Sequence, residues 1–537
     1  MKSVMNNHFS QVPKADIPRS AFKRDHGHKT TMDAGYLVPF YVDEALPGDT
    51  FNLNANVFAR LTTPIVPFMD NLYLDTFFFS VPCRILWDNW ERFMGAQDNP
   101  DDSTDFEVPQ MDPTATPGHL IGGIHDHFGI DVNKVVDYPI QALPHRAYVK
   151  IWNDWFRDEN LQDRRPENKD DGPDPWTAAE DELARRGKRH DYFTSCLPWP
   201  QKGPGVELPL GETAPVRGDG TSGLRLTDGA TSYRLRYSTT TGNIAPDASG
   251  LGQTTSPVVP SQGDILGVAN AAVTGLVADL SEATAATINS LRQAFQLQKL
   301  LERDARGGTR YVELLKAHFG VTSPDFRLQR PEYLGGGSTP VQIHQVAQTT
   351  PTGIVQNVTP QGNLAAYGTV ASTRNGFNHS FVEHCIVIGL ACVRADLTYQ
   401  SGIPKMFSRS TKYDYYWPAL AHLGEQAVLN EEINCTKAPV GENVFGYQER
   451  WSEYRFYPSK ITGLMRSSVL DNLDIWHLAE WFTDTPVLGD EFIQCNPPIE
   501  RVVAVTDEPH FVFDSYIQLT AVRPMPTYSV PGLIDHF

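Results

Sequence analysis

No stretch of eighteen consecutive apolar residues occurs in the chain, which excludes an ordinary membrane-spanning helix. The first residues, MKSVMNNHFSQVP, lack the apolar centre of a secretory signal, so neither membrane insertion nor export is expected. Cysteine is sparse, six in 537 residues with no CxxC pair, and this leaves no zinc-like spacing and no disulfide framework. Cys83, Cys196, Cys385, Cys392, Cys435 and Cys495 are therefore expected to be reduced, buried, small apolar residues. Sequons at Asn357, Asn378 and Asn434 carry little weight without a secretory signal. Basic charge is in deficit as well: 45 Lys and Arg stand against 64 Asp and Glu, a net −19. That balance excludes a surface that attracts phosphate everywhere.

Catalytic signatures are missing too. The sequence contains no P-loop, no GxSxG elbow and no HExxH. GDGTSG at Gly218–Gly223 has the glycine spacing of a dinucleotide loop, but APVR precedes it and LRLTDGATSY follows, where a buried strand and a helix are needed. The overlapping Arg217-Gly218-Asp219 triplet is too short to carry an adhesion function. His125-Asp126-His127 and the pair His26 and His28 lack a third and fourth ligand for a metal, so solvated or interface histidines are expected. Asp98, Asp101, Asp102 and Asp105 do not follow calcium-loop spacing and read as a solvated acidic surface. Cys385, near His379 and His384, lies in the apolar run CIVIGLACV, where desolvation suppresses thiolate formation. An enzyme is not expected, and no cofactor is implied.

What the chain does contain is material for a large core: 40% hydrophobic and 11% aromatic residues, with 20% charged. Glycine and proline together number 81, which favours strands and irregular connections over long helices. Strand patterns sit at both ends. YLVPFYV, TFNLNANVFARL and NLYLDTFFFSVP come early, while FVEHCIVIGLACVRADLTY, NVFGYQERWSEYRFYPS, ERVVAVT and HFVFDSYIQLTAVRP begin near residue 381. Two or three early strands do not make a stable sheet alone, so the two groups are expected to pair across a very long insertion. The reading is a mainly β fold with a sandwich from 35–82 and 381–537, an insertion at 83–380 and a basic arm at 1–34. In the insertion, Tyr148, Ile151, Trp152, Trp155 and Phe156 share a helical face and are expected in a core. Residues 201–265 are rich in Gly, Pro, Ser and Thr, with Tyr233 and Tyr237 the only aromatics, and read as an exposed projection.

Charge is unevenly placed. Residues 1–30 hold six Lys and Arg against Asp16 and Asp25, while residues 88–137 hold eleven Asp and Glu against Arg92 and Lys134. Around RDARGG, Arg303–Gly308, Ser281 is expected to cap a helix that turns Ile288, Leu291, Ala294, Phe295 and Leu301 inward. Gly307 and Gly308 are expected to break it, with Thr309 capping the next helix and Gly320 stopping that one. Arg303, Asp304, Arg306 and Arg310 are then candidates for pairing within the turn or with adjacent subunits.

RSAFKRDHGHKTTMDAGYLVPFYVDEALPGDTF (19–51), LRQAFQLQKLLERDARGGTRYVELLKAHFGVTSPDFRLQRPEYLGG (291–336) and GYQERWSEYRFYPSKITG (446–463) resemble recurring blocks of gokushovirus major capsid proteins, in the Microviridae. The resemblance implies an eight-stranded antiparallel jelly roll with long helical and irregular insertions between its strands. It implies a T=1 icosahedral shell of equivalent subunits around circular single-stranded DNA, with residues 201–265 as the variable projection used in host attachment. The partners implied are other copies of the chain, an internal scaffolding protein, minor pilot and DNA-binding virion proteins, packaged DNA and a host-cell receptor. The setting implied is the virion, with assembly in the bacterial cytoplasm. Arg19, Lys23, Arg24 and Lys29 then either face the genome or pin to neighbouring subunits' carboxylates. A carbohydrate-binding or adhesin-like β-sandwich is the alternative, and particle formation separates the two.

Overall fold

A computed structural model describes residues 18–99, 101–112, 120–132, 138–206, 288–325, 327–349, 362–435 and 443–528, together with six short strands between 216 and 278. Lys2, Lys14, Ser281, Asn357 and much of 201–265 lie outside the described residues.

Eight strands build the sandwich: β1 (His26–Met32), β2 (Val38–Ala45), β3 (Thr50–Leu61), β4 (Leu72–Pro82), β5 (Glu332–Pro340), β6 (Leu364–Ser380), β7 (Cys385–Ala395) and β8 (Phe511–Arg523). One sheet has the order β1-β8-β3-β6 and the other β5-β4-β7-β2, with every one of these pairings antiparallel. The chain alternates between sheets from β1 to β4, stays in the second sheet for β5, then alternates again. This is the double Greek key of a jelly roll. Ser20–Lys23 continues the edge beside β8, and Gln342–Ala347 adds outside β6. Only Val341 separates that last strand from β5, so the chain crosses from one sheet to the other without a loop.

Residue alternation explains why these segments are strands. In β3, Phe51, Leu53, Ala55, Val57, Ala59 and Leu61 all point into the space between the sheets, as do Phe511, Phe513, Ile517, Leu519 and Ala521 of β8. Each large apolar side chain so buried stabilises the fold by roughly 1.5–3 kcal/mol. β7 has no alternation in its sequence because both of its faces are covered. Val387, Ala391 and Val393 face the first core, whereas Ile386, Ile388, Leu390 and Cys392 face a second. The second core lies under helix α1 (Leu143–Ile151), whose Leu143, Ala147, Tyr148 and Ile151 supply its other side. Tyr148 fixes the helix there: its hydroxyl donates to the Leu37 carbonyl at 2.8 Å and accepts from the Ala184 N–H at 2.9 Å. On the outer face of the first sheet, Phe58, Val512 and Tyr516 are exposed among the described residues.

The sandwich takes more of the chain than the sequence reading gave it. Residues 20–32, expected as part of a basic arm, are strands paired to β8. Their composition hides this because β1 is an edge strand in which only Met32 is buried. Likewise β5 and β6 lie within the segment expected to be insertion. The glycines of β5 look like a loop but are required by close strand approach. A Cβ on Gly336 would sit 2.1 Å from the Thr76 carbonyl oxygen, and one on Gly376 of β6 would sit 1.9 Å from that of Leu53.

Residues 201–303 form a second compact unit. It is longer than the expected 201–265 projection and contains a four-stranded and a two-stranded sheet.

Candidate assembly interface

The four basic residues proposed for the arm are strand residues or their neighbours. Arg19 donates to the Gly48 carbonyl and to Thr50 Oγ1 at 3.0 Å. Arg24 grips the Asp43 carboxylate with two nitrogens, and Lys29 lies 3.5 Å from Asp514, its register partner on β8. Lys23 is exposed. The carboxylates met by Arg24 and Lys29 thus belong to their own chain.

RDARGG closes helix α2 (Ile288–Gly307), and α3 (Tyr311–Phe319) follows after three residues. Gly308 takes a φ of +92° and Gly320 one of +69°; both lie in the left-handed region that stops a helix. The expected Thr309 cap is corrected: Arg310 is the N-cap residue and Glu313 returns to its N–H, while Thr309 Oγ1 is buried without a hydrogen-bond partner among the described residues. Phe295, expected inward, is exposed, because the charged pattern on α2 leaves a mixed face and not a clean apolar stripe.

The joint's charged groups reach distant parts of the chain. Arg306 pairs with Glu425 and, at 3.3 Å, with Glu449. Arg310 pairs with Glu159 and donates to the carbonyls of Arg157 and Asn153. Asp304 accepts from His318 Nε2 at 2.6 Å. Arg303 is exposed.

Two histidines and one cysteine differ from expectation. His125 and His127, expected in solvent or at an interface, are buried on the one-turn helix Ile124–His127. His125 Nδ1 bonds Asp181 at 2.5 Å and its ring stacks on His145 at 5.0 Å. Burial pushes the His127 imidazole down to about 4 and holds His145 well below its usual value. Cys435 is exposed and not buried; the other five cysteines are buried, and burial pushes the Cys385 thiol up to about 12.

Part of the segment NVFGYQERWSEYRFYPS, expected as strand, joins residues 412–417 in an exposed aromatic face. KYDYYW (412–417) and RWSEYRFYPSK (450–460) bring together Tyr415, Tyr416, Trp417, Tyr454 and Tyr457, all about half exposed or more. Arg409 lies over the Tyr415 and Tyr454 rings, and Tyr416 contacts both Trp451 and Tyr454. The signal was present in the density of Tyr, Trp and Arg, the residue types that dominate protein interfaces.

Comparison with known proteins fits this geometry. The profile of the family described as "Capsid protein (F protein)" matches residues 10–533. The chain is 48% identical to the capsid protein VP1 of Bdellovibrio phage phiMH2K, covering 99% of each chain. It is 43% identical to VP1 of Chlamydia phage 1 over 99% of this chain and 98% of the relative. With VP1 of Spiroplasma virus 4 it shares 37% identity over 98% and 97%. With a jelly roll, a broad exposed aromatic face and similarity end to end, the chain belongs to the phage capsid protein (F protein) family and is a major capsid protein of the gokushovirus type, in the Microviridae.

Proposed function

We propose that the chain self-assembles into a T=1 icosahedral shell enclosing a circular single-stranded DNA genome. The observation that carries this reading is the aromatic face around Trp417 and Tyr454. A soluble monomer rarely leaves so many large aromatic side chains of two segments in water, and burial against other copies removes that cost. The joint of Arg303, Asp304, Arg306 and Arg310 contributes to contacts between copies, with Arg303 and Arg306 as its exposed members. Of the four basic residues near the N-terminus, the exposed Lys23 and Lys29 meet phosphate, Lys29 from beside Asp514 of its own chain, while Arg19 and Arg24 anchor the strand that presents them. Residues 201–265 take part in host attachment. Assembly takes place in the bacterial cytoplasm with an internal scaffolding protein, and pilot and DNA-binding proteins join the virion.

Replacing residues 205–260 with a short Gly/Ser linker tests the attachment role. Particles should still form but fail to adsorb to the host; normal adsorption would remove that role. A second reading, a carbohydrate-binding sandwich, draws on a cavity of about 230 Å³ lined by Tyr399, Tyr454, Phe456 and Tyr457. Soluble monomers that bind glycans and never form particles would favour it.

A further inference from the structure

A cleft of about 1240 Å³ lies between the outward face of β4 and β5 and the joint at Ala305–Arg310. Its floor is aromatic: Phe79 packs against Trp155, Phe156 and Tyr333. Its walls carry seven Lys or Arg side chains against three carboxylates, Asp158, Glu159 and Glu313, in a chain whose net charge is −19. Four of the seven are held within the fold: Arg186 by Asp75, Lys188 by Glu480, Arg306 by Glu425 and Arg310 by Glu159. The other three, Arg157, Arg189 and Lys316, form no ion pair with any described carboxylate. Arg189 and Lys316 are exposed. Arg157 Nε is buried without a hydrogen-bond partner among the described residues, and burial lowers the guanidinium's pKa. A buried donor left in that state is destabilising until an acceptor reaches it.

The cleft exceeds the volume of about 300–1,000 Å³ that suits a small ligand. It has room for a stretch of chain bearing several negative charges. The sequence supplies one: Asp98–Glu107, DNPDDSTDFE, has five carboxylates and no Lys or Arg. Asp98, Asp101, Asp105 and Glu107 are exposed. Phe106 and Val108 pack against the core beneath α1, so the loop is tethered at its base while its acidic side chains remain in solvent.

We propose that the cationic cleft receives the Asp98–Glu107 loop of a second copy of this chain. The contact is heterologous, cleft on one copy and loop on the next, and such contacts propagate around a closed ring. It rests on the proposed self-assembly and assigns two of the surfaces that perform it. Charge complementarity also sets the register, because like charges face each other in a wrong docking.

The test uses the full chain expressed with its internal scaffolding protein. Two variants reverse one side each: Arg189→Glu with Lys316→Glu in the cleft, and Asp101→Lys with Asp105→Lys in the loop. All four side chains are exposed, and near-ultraviolet circular dichroism checks native packing; should a reversal unfold the chain, Arg189→Gln with Lys316→Gln replaces it. Each pair should lower the yield of closed particles roughly tenfold or more, and all four substitutions together should restore most of it. The proposal is overturned if the cleft pair assembles at wild-type yield, or if the fourfold variant does no better than either pair. Normal shells with reduced nucleic-acid content from the cleft pair would assign the cleft to DNA, also overturning it. A wild-type chain that forms no particles would remove the assembly reading and this contact together.

Discussion

Lowering the pH from 7 to 5 should destabilise the folded chain through its buried histidines. His127 is 7% exposed; Asp126, Asp181, His28 and a backbone hydrogen bond with Gly122 act on it, and the Thr30 hydroxyl lies 3.1 Å from Nδ1. Desolvation, the largest influence, depresses its pKa to about 4, and the neighbouring His28 acts in the same direction against Asp126. In the unfolded chain a histidine titrates near 6.5. Between those two values the unfolded state binds more protons than the folded state, so stability falls as pH falls. The contribution is fully present above about pH 6.5, shrinks below it and is exhausted near pH 4. For His127 alone the loss at pH 5 is about 2 kcal/mol, from roughly 1.4 kcal/mol per pH unit across the window. His145, held neutral by burial and by the nearby His125, Arg165 and Arg146, adds a loss of the same sign. Urea unfolding of unassembled protein, followed by tryptophan fluorescence at pH 7 and pH 5, measures the effect. His127→Gln, which keeps an acceptor for Thr30, should reduce the slope by close to one proton. A slope unchanged in this variant, or stability that does not fall between pH 7 and 5, would refute the reasoning.

Gly376→Ala places a Cβ against the Leu53 carbonyl at 1.9 Å and should cost about 3 kcal/mol or more, read as a lower urea midpoint or loss of soluble protein. Ile388→Ala, fully buried beneath α1, should cost about 2–5 kcal/mol, whereas Val512→Ala, on the exposed face of β8, should stay within about 0.5 kcal/mol by the same measurement. Arg306→Ala removes a partner of Glu425 and should lower stability by about 1–2 kcal/mol, discounted because the guanidinium is partly exposed. The same variant should reduce closed particles; normal particle yield would make the joint a local turn. Lys23→Glu with Lys29→Glu should lower packaged DNA, read from the absorbance ratio of purified particles, while leaving shells intact; unchanged DNA content would reject the genome-facing role.

Strands with one clean buried face were legible in the sequence. β3 and β8 alternate over their length, and β7 could be read as buried because its apolar run is unbroken. The edge strand β1 was not legible, because an edge buries too few side chains to leave a pattern. β5 was hidden by glycines that serve packing and not a turn. At the joint, Gly308 and Gly320 stop helices as local chemistry dictates. The partners of Arg306 and Arg310 were beyond reach, because Glu425, Glu449 and Glu159 lie more than a hundred residues away in sequence. The cleft was invisible for the same reason: its seven cations come from three separate segments of chain.

Self-assembly is tested most directly by expressing the chain alone and with its scaffolding protein, then examining both products by sedimentation and electron microscopy. Closed isometric shells of one diameter, in which image reconstruction finds every copy in an equivalent environment, are the predicted result. Soluble monomers alone under both conditions would contradict it.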